Sequence, residues 1–219
     1  MYVAISADIV ASTSLSKEET IRLRQRMSDL FLLLEAKFPD FWGRQIKGDY
    51  IECLTSDVSK ALRLALIIKS CIKSFHVTEN KQTKNFRTYG VRMAVGIGNM
   101  RIIERKQGIM DGDAIYLSGR SLEKIGSLSK GTLLIATGNE HLSAMLRTIG
   151  ILTDALMNNC TRRQSEVIYY KLLSMREVDI AEKIRIKQSS VNEHSSLAKW
   201  YCIEETLNYF EQIKFEDYE

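Results

Sequence analysis

The sequence holds one proline, Pro39, and twelve scattered glycines. That excludes a proline-rich linker and a collagen-like segment. Long apolar runs are also missing. The longest, at 30–34 and 64–68, fall far short of the roughly 18 residues a membrane span needs. No basic leader precedes Tyr2-Val-Ala-Ile-Ser-Ala-Asp8, which reads as a first core strand rather than a signal peptide. The four cysteines, at 53, 71, 160 and 202, form no C-x-x-C pair and read as buried small hydrophobes. A cytoplasmic protein with no membrane partner is expected. His76, His141 and His194 are too scattered to build a histidine metal site. There is no G-x-x-x-x-G-K-[ST], H-E-x-x-H or G-x-S-x-G motif, which removes the P-loop, zincin and nucleophile-elbow chemistries.

What remains is a chain of 219 residues, 45% hydrophobic and 26% charged, enough for one large domain or two small ones. The net charge of +4 is unevenly spread. Residues 161–199 carry eight basic and five acidic side chains, and 200–219 carry one basic and six acidic. A mildly basic block beside an acidic tail permits nucleic-acid binding without demanding it.

Along the chain, 2–8 reads as a strand, and Ser16-Lys-Glu-Glu19 as a capping box opening a helix with Ile21, Met27, Leu30, Phe31, Leu34 and Phe38 inward. Residues 41–55 read as a hairpin turning near Gly48-Asp49, followed by a helix from Ser56 or Asp57 with Val58, Ala61, Leu62, Ala65, Leu66 and Ile72 on one face. Residues 78–85 read as a loop, 86–97 as a strand region bending at Gly96-Ile-Gly98, 113–125 as a helix, 131–136 as a strand and 139–149 as a helix. The order β-α-β-β-α-β, then helix and strand, predicts an α+β, ferredoxin-like domain over 1–152. From about 158 the pattern is helical only, with capping boxes at Thr161-Arg-Arg-Gln164 and Ser174-Met-Arg-Glu177, so a small all-α domain over 158–219 is expected.

In 177–194, Ala181 is small where two helices must cross closely, and Ile180, Ile184, Ile186 and Val191 supply apolar contacts around it. The segment resembles the helix-turn-helix of sigma-factor region four and LuxR-type regulators. Arg185 stands where a glycine usually supplies a positive φ. The resemblance implies a helix over 188–199 that enters a major groove. Gln188, Ser189, Asn192, Glu193 and Ser196 then face the bases, and Arg162, Arg163, Arg176, Lys183, Lys187 and Lys199 the phosphates. The same residues also fit a plain helical bundle with a solvated face, or a protein-docking module.

At the N-terminal end, Asp8-Ile-Val-Ala-Ser-Thr13 follows the first strand and Lys47-Gly48-Asp49 marks the hairpin. Two carboxylates on adjacent strands, with the Ile9 carbonyl, offer Mg²⁺ the oxygen ligands it takes. The amides of Val10 to Thr13 offer a phosphate cradle. Asp8 and Asp49 equally suit an ordinary strand end and turn.

The pattern resembles class III nucleotidyl cyclases and their GGDEF-like relatives, also through Arg92-Met-Ala-Val-Gly-Ile-Gly98 and Gly112-Asp-Ala-Ile-Tyr-Leu-Ser-Gly-Arg120. That resemblance implies a metal site at Asp8, Ile9 and Asp49 and a nucleotide site including Ser12 and Thr13. Arg120 falls on the transition-state arginine and is the candidate catalytic residue. Gln45 stands at the purine-selecting lysine and Tyr116 at the catalytic asparagine, two departures that argue against cyclisation. Taken whole, Ala7-Asp-Ile-Val10, Gly48-Asp49, Asp111 to Arg120 and the 177–199 segment resemble bacterial SatD-like proteins. The expectation is a homodimeric DNA-binding transcriptional regulator that senses a nucleotide or other phosphorylated ligand. The alternatives are a metal-dependent nucleotidyl cyclase or related phosphotransferase, and a docking module with vestigial sites.

Overall fold

A computed structural model describes residues 1–46, 48–127 and 131–218. The central strand β1 (Tyr2–Ile9) buries Val3, Ile5, Ala7 and Ile9 on one face and Ala4 and Ser6 on the other. Both faces are covered, which explains its nearly continuous apolar run. After a short 3₁₀ turn (Ser12–Ser14), Ser16 caps α1 (Lys17–Lys37) in the expected box with Glu19. Leu23, Met27, Leu30, Phe31 and Leu34 face the core. Ile21 does not; it is exposed, because two residues, about 200° of helical rotation, separate it from Leu23.

Strands β2 (Trp42–Ile46) and β3 (Tyr50–Thr55) form the hairpin, turning through Gly48 at φ 89°. Lys47, part of the motif read there, lies outside the described residues. Helix α2 (Ala61–Lys73) follows a 3₁₀ turn (Val58–Lys60) and is buried on nearly every side, not on one face as its sequence suggested. A short helix, α3 (Lys84–Tyr89), replaces the strand start expected at Phe86. It is wound by reciprocal hydrogen bonds between Asn80 and Thr83, each backbone N–H donating to the other's side chain.

Strand β4 (Val91–Gly98) shows no break at its glycines. A small hairpin not anticipated from sequence, β5 (Met100–Glu104) and β6 (Ile109–Gly112), precedes α4 (Asp113–Ser127) and β7 (Leu133–Thr137). The role of Gly96 is close approach. A Cβ there would sit 2.5 Å from the Ser118 amide nitrogen and closer still to the Ala114 carbonyl, so α4 lies directly on the β4 backbone.

The sheet order is β2-β3-β1-β4-β7, antiparallel except for the parallel β4–β7 pair. The first four strands have the ferredoxin-like arrangement, and β7 extends it. Helices α1 and α2 cover one face, and α4 with the β5–β6 hairpin covers the other.

Helix α5 (Glu140–Asn159) is capped by Asn139 and runs about three turns past the end read at 149. The boundary expected at 152–158 therefore falls within it, and Thr153, Asp154 and Met157 are buried. The chain continues as α6 (Arg162–Leu172), α7 (Glu177–Ile184), α8 (Gln188–Leu197) and α9 (Trp200–Glu211). Thr161 makes the capping box with Gln164. Ser174 makes none: it is left-handed at φ 61°, ending the turn after α6, and Arg176 occupies the cap position of α7. Ile168, Tyr169, Leu172, Ile203, Leu207 and Phe210 join the same apolar core as α1, α2 and the sheet. Glu211 bridges to Lys60 and Arg63, each at 2.6 Å. The helical end is thus fused to the α2 face of the sheet domain.

Candidate functional site

Asp8, next to the last residue of β1, lies on the α4 side of the sheet, opposite Arg92 on β4 and Tyr50 on β3. Arg92 forms an ion pair with it. Asp49 lies beside the end of β1, where its carbonyl accepts the Ile9 N–H at 3.0 Å. Its carboxylate accepts the Ser12 hydroxyl at 3.0 Å. Asp49 and Ser12 are thus hydrogen-bonded neighbours beside the end of β1, the strand that carries Asp8.

Their surroundings differ from the expectation. The Arg92 guanidinium pairs with one carboxylate, and Ser12 donates to the other. Among the described residues no group of three His, Cys, Asp or Glu could hold a metal ion. The phosphate cradle is also smaller than read, because the Val10 N–H donates to the Gly90 carbonyl at 3.0 Å. Ala11 is left-handed at φ 52°, turning the chain into the 12–14 segment, where Thr13 is exposed. Gln45 donates its amide to the Gly48 carbonyl, bracing the hairpin turn.

Arg120 lies on α4. It stacks on Tyr116, 3.8 Å from the ring centroid, and donates to that hydroxyl. It lines a cavity of about 480 Å³ with Lys124, Arg147 and β7 residues. Asp8 and Asp49 are not part of that lining. The sequence reading missed Arg92 as the partner of Asp8. Its signal was one cation in an apolar strand, interpretable only once the β1–β4 register is known.

The second candidate region is the α7–α8 pair. Ile180, Ala181, Ile184 and Val191 form a small core with Val167 of α6, flanked by Tyr170, Met175 and Ile186. Arg185 ends α7 in the left-handed conformation at φ 55°, and the Ile186 N–H closes on the Ala181 carbonyl at 3.0 Å. The turn thus takes the shape its usual glycine would give. On α8, Val191 and Ser195 face inward, whereas Gln188, Ser189, Asn192, Glu193 and Ser196 are exposed.

The cations divide into two groups. Arg163 pairs with Glu166 at 2.6 Å, Arg162 approaches the same carboxylate at 3.6 Å, and Arg176 pairs with Asp179 at 2.8 Å. Among the described residues Lys183, Arg185, Lys187 and Lys199 make no ion pair, and Lys183 lies over the Tyr170 ring. Arg185 was not among the expected phosphate contacts.

Among the described residues no helix is long and apolar enough to cross a membrane. No protein-family model matches the chain, and no curated protein matches it. A solved structure of a bacterial light-regulated adenylyl cyclase is similar to it, at a TM-score of 0.43 and 18% identity, covering 61% of this chain and 74% of that one.

Proposed function

We propose that this chain is a DNA-binding regulator in which α8 is the recognition helix and the ferredoxin-like domain is the ligand-sensing part. The observation that carries this reading is the two-sided character of α8. Val191 and Ser195 anchor it to α6 and α7, while five polar side chains suited to base edges are exposed on its other side. Lys183, Arg185, Lys187 and Lys199 flank them as phosphate contacts. The acidic α9 and tail must lie away from a bound duplex, or they would repel it. A homodimer on a two-fold DNA site is the proposed assembly.

The test is fluorescence anisotropy of the full chain against genomic fragments across a salt series. Affinity falls steeply between about 50 and 200 mM salt if phosphate contacts supply much of the binding. Lys187→Ala weakens all sequences alike, whereas Gln188→Ala or Asn192→Ala relaxes preference at particular bases, by about 1–3 kcal/mol for a lost bidentate contact. Absence of binding at micromolar protein in a verified dimer moves the reading to a protein-docking module.

A second reading, a nucleotidyl cyclase or related phosphotransferase, is favoured by the adjacency of Asp8, Asp49 and Ser12 at one sheet end. It requires Arg92 to release Asp8 to Mg²⁺ and a second subunit to deliver Arg120. Tyr116, stacked on that arginine, counts against it. Incubation with each nucleoside triphosphate and Mn²⁺ is expected to give no cyclic product. Turnover that disappears in Asp8→Ala would establish the cyclase reading instead.

A further inference from the structure

A basic cavity lies away from both regions, where the end of α2, the segment after it and α3 meet the α5–α6 junction. It encloses about 640 Å³, within the range of small-molecule sites. Lys73, His76, Lys84, Arg87 and Arg162 line it, against one carboxylate, Glu79. Glu79 is largely exposed and pairs with Arg87 at 3.2 Å, so it offsets one cation of four.

The decisive residue is Lys73. It is only 2% exposed, yet no carboxylate pairs with it. Its ammonium donates to two neutral carbonyls, of Thr88 and, at 3.3 Å, of Asn158. The neighbouring buried lysine, Lys69, by contrast has Asp154 at 3.1 Å. A buried cation left on neutral dipoles is costly unless a counter-charge is supplied. Burial, with Lys69 beside it, pushes Lys73 down to about 8. Around Lys73 the cavity carries three further cations, Lys84, Arg87 and Arg162, and one acid, Glu79.

We infer that this cavity is a binding site for a polyanionic, phosphate-bearing small molecule of nucleotide size, with Lys73 at its floor and Lys84, Arg87 and Arg162 at its rim. The α5–α6 junction forms one wall through Asn158, Cys160 and Thr161. A bound polyanion therefore touches the helix that leads into the α6–α8 group. The site shares no residue with Asp8, Asp49 or the exposed side of α8, so it does not depend on either reading above.

The test is a titration of the full chain with inorganic tripolyphosphate, with EDTA present to exclude metal-dependent binding, read by calorimetry and by melting temperature. Sulfate at matched ionic strength is the control. Saturable binding that raises the melting temperature is expected by mass action. The double variant Lys84→Ala, Arg87→Ala changes only exposed residues and is expected to weaken binding at least tenfold, while Asp49→Ala leaves it unchanged. Lys73→Met is expected to abolish binding; should it fail to fold, the rim variant decides. The proposal is overturned if tripolyphosphate does no more than sulfate, or if the rim variant binds as the parent does. Displacement of bound tripolyphosphate by a short DNA duplex would also overturn it, assigning the rim to a nucleic-acid surface instead.

Discussion

Glu19 is the side chain whose removal has the most calculable consequence. It is 5% exposed. One carboxylate oxygen accepts the Thr78 N–H at 2.7 Å, and the other accepts the Ser16 N–H at 2.8 Å. It therefore ties the start of α1, beside Ser12 and Thr13, to the segment after α2 that borders the basic cavity. These bonds, that from Thr78 first, hold the carboxyl down from its ordinary 4.5 to about 2.

The depression and the two hydrogen bonds that cause it are one effect, expressed in two ways. By linkage, that depression corresponds to about 3 kcal/mol of stability at neutral pH. By hydrogen bonds, two backbone donors to a charged acceptor at about 1.5 kcal/mol each contribute about 3 kcal/mol. The sign follows from the direction of the shift. The folded value is below the unfolded one, so the contribution is complete above 4.5 and is lost as pH falls towards 2.

Glu19→Gln keeps the shape but removes the charge and turns a donor towards one of the two N–H groups. Urea denaturation at pH 7 is expected to show a loss of about 2–3 kcal/mol, with the melting temperature lower by roughly 4–12 °C for a chain of this size. Near pH 3 the gap between parent and variant narrows to about half, because the parent is then losing the same charge. A gap of equal size at both pH values would refute the electrostatic argument and leave only a packing effect.

Two further predictions concern backbone geometry. Gly96→Ala places a methyl group against the backbone of α4, which cannot rotate aside, and is expected to cost at least about 1–3 kcal/mol in thermal or denaturant unfolding. Arg185→Gly relieves a left-handed non-glycine residue and is expected to raise stability by up to about 1 kcal/mol. In the anisotropy assay the same variant weakens DNA binding uniformly, since it removes a cation that no described carboxylate engages.

The sequence by itself determined the features that depend on near neighbours. Ser16 with Glu19 and Thr161 with Gln164 are capping boxes because the partners are three residues apart, and both form. The Gly48 turn, the apolar run of β1 and the order of the first elements were readable for the same reason. So was the inward set of the α7–α8 pair, where Ile180, Ile184 and Val191 meet around Ala181. Failures on the local scale were competitions between near neighbours: Ser174 has the capping spacing but is spent ending the turn after α6, and Arg176 takes the cap.

Only the tertiary structure decided which charges meet. Asp8 and Arg92 are 84 positions apart and become partners through the β1–β4 register. Arg120, matched by family resemblance to a transition-state arginine, lines a cavity with β7 residues and stacks on Tyr116. Lys69 finds Asp154, whereas Lys73, one helical turn later on α2, finds only carbonyls. The glycines of β4 looked like a bend because a single strand does not reveal that a helix will lie on it. Helix caps and hydrophobic periods are set within a few residues, so the chain carries them openly. The pairing of a charge depends on register and on which face of an element is covered, and these are fixed only when distant segments share one core.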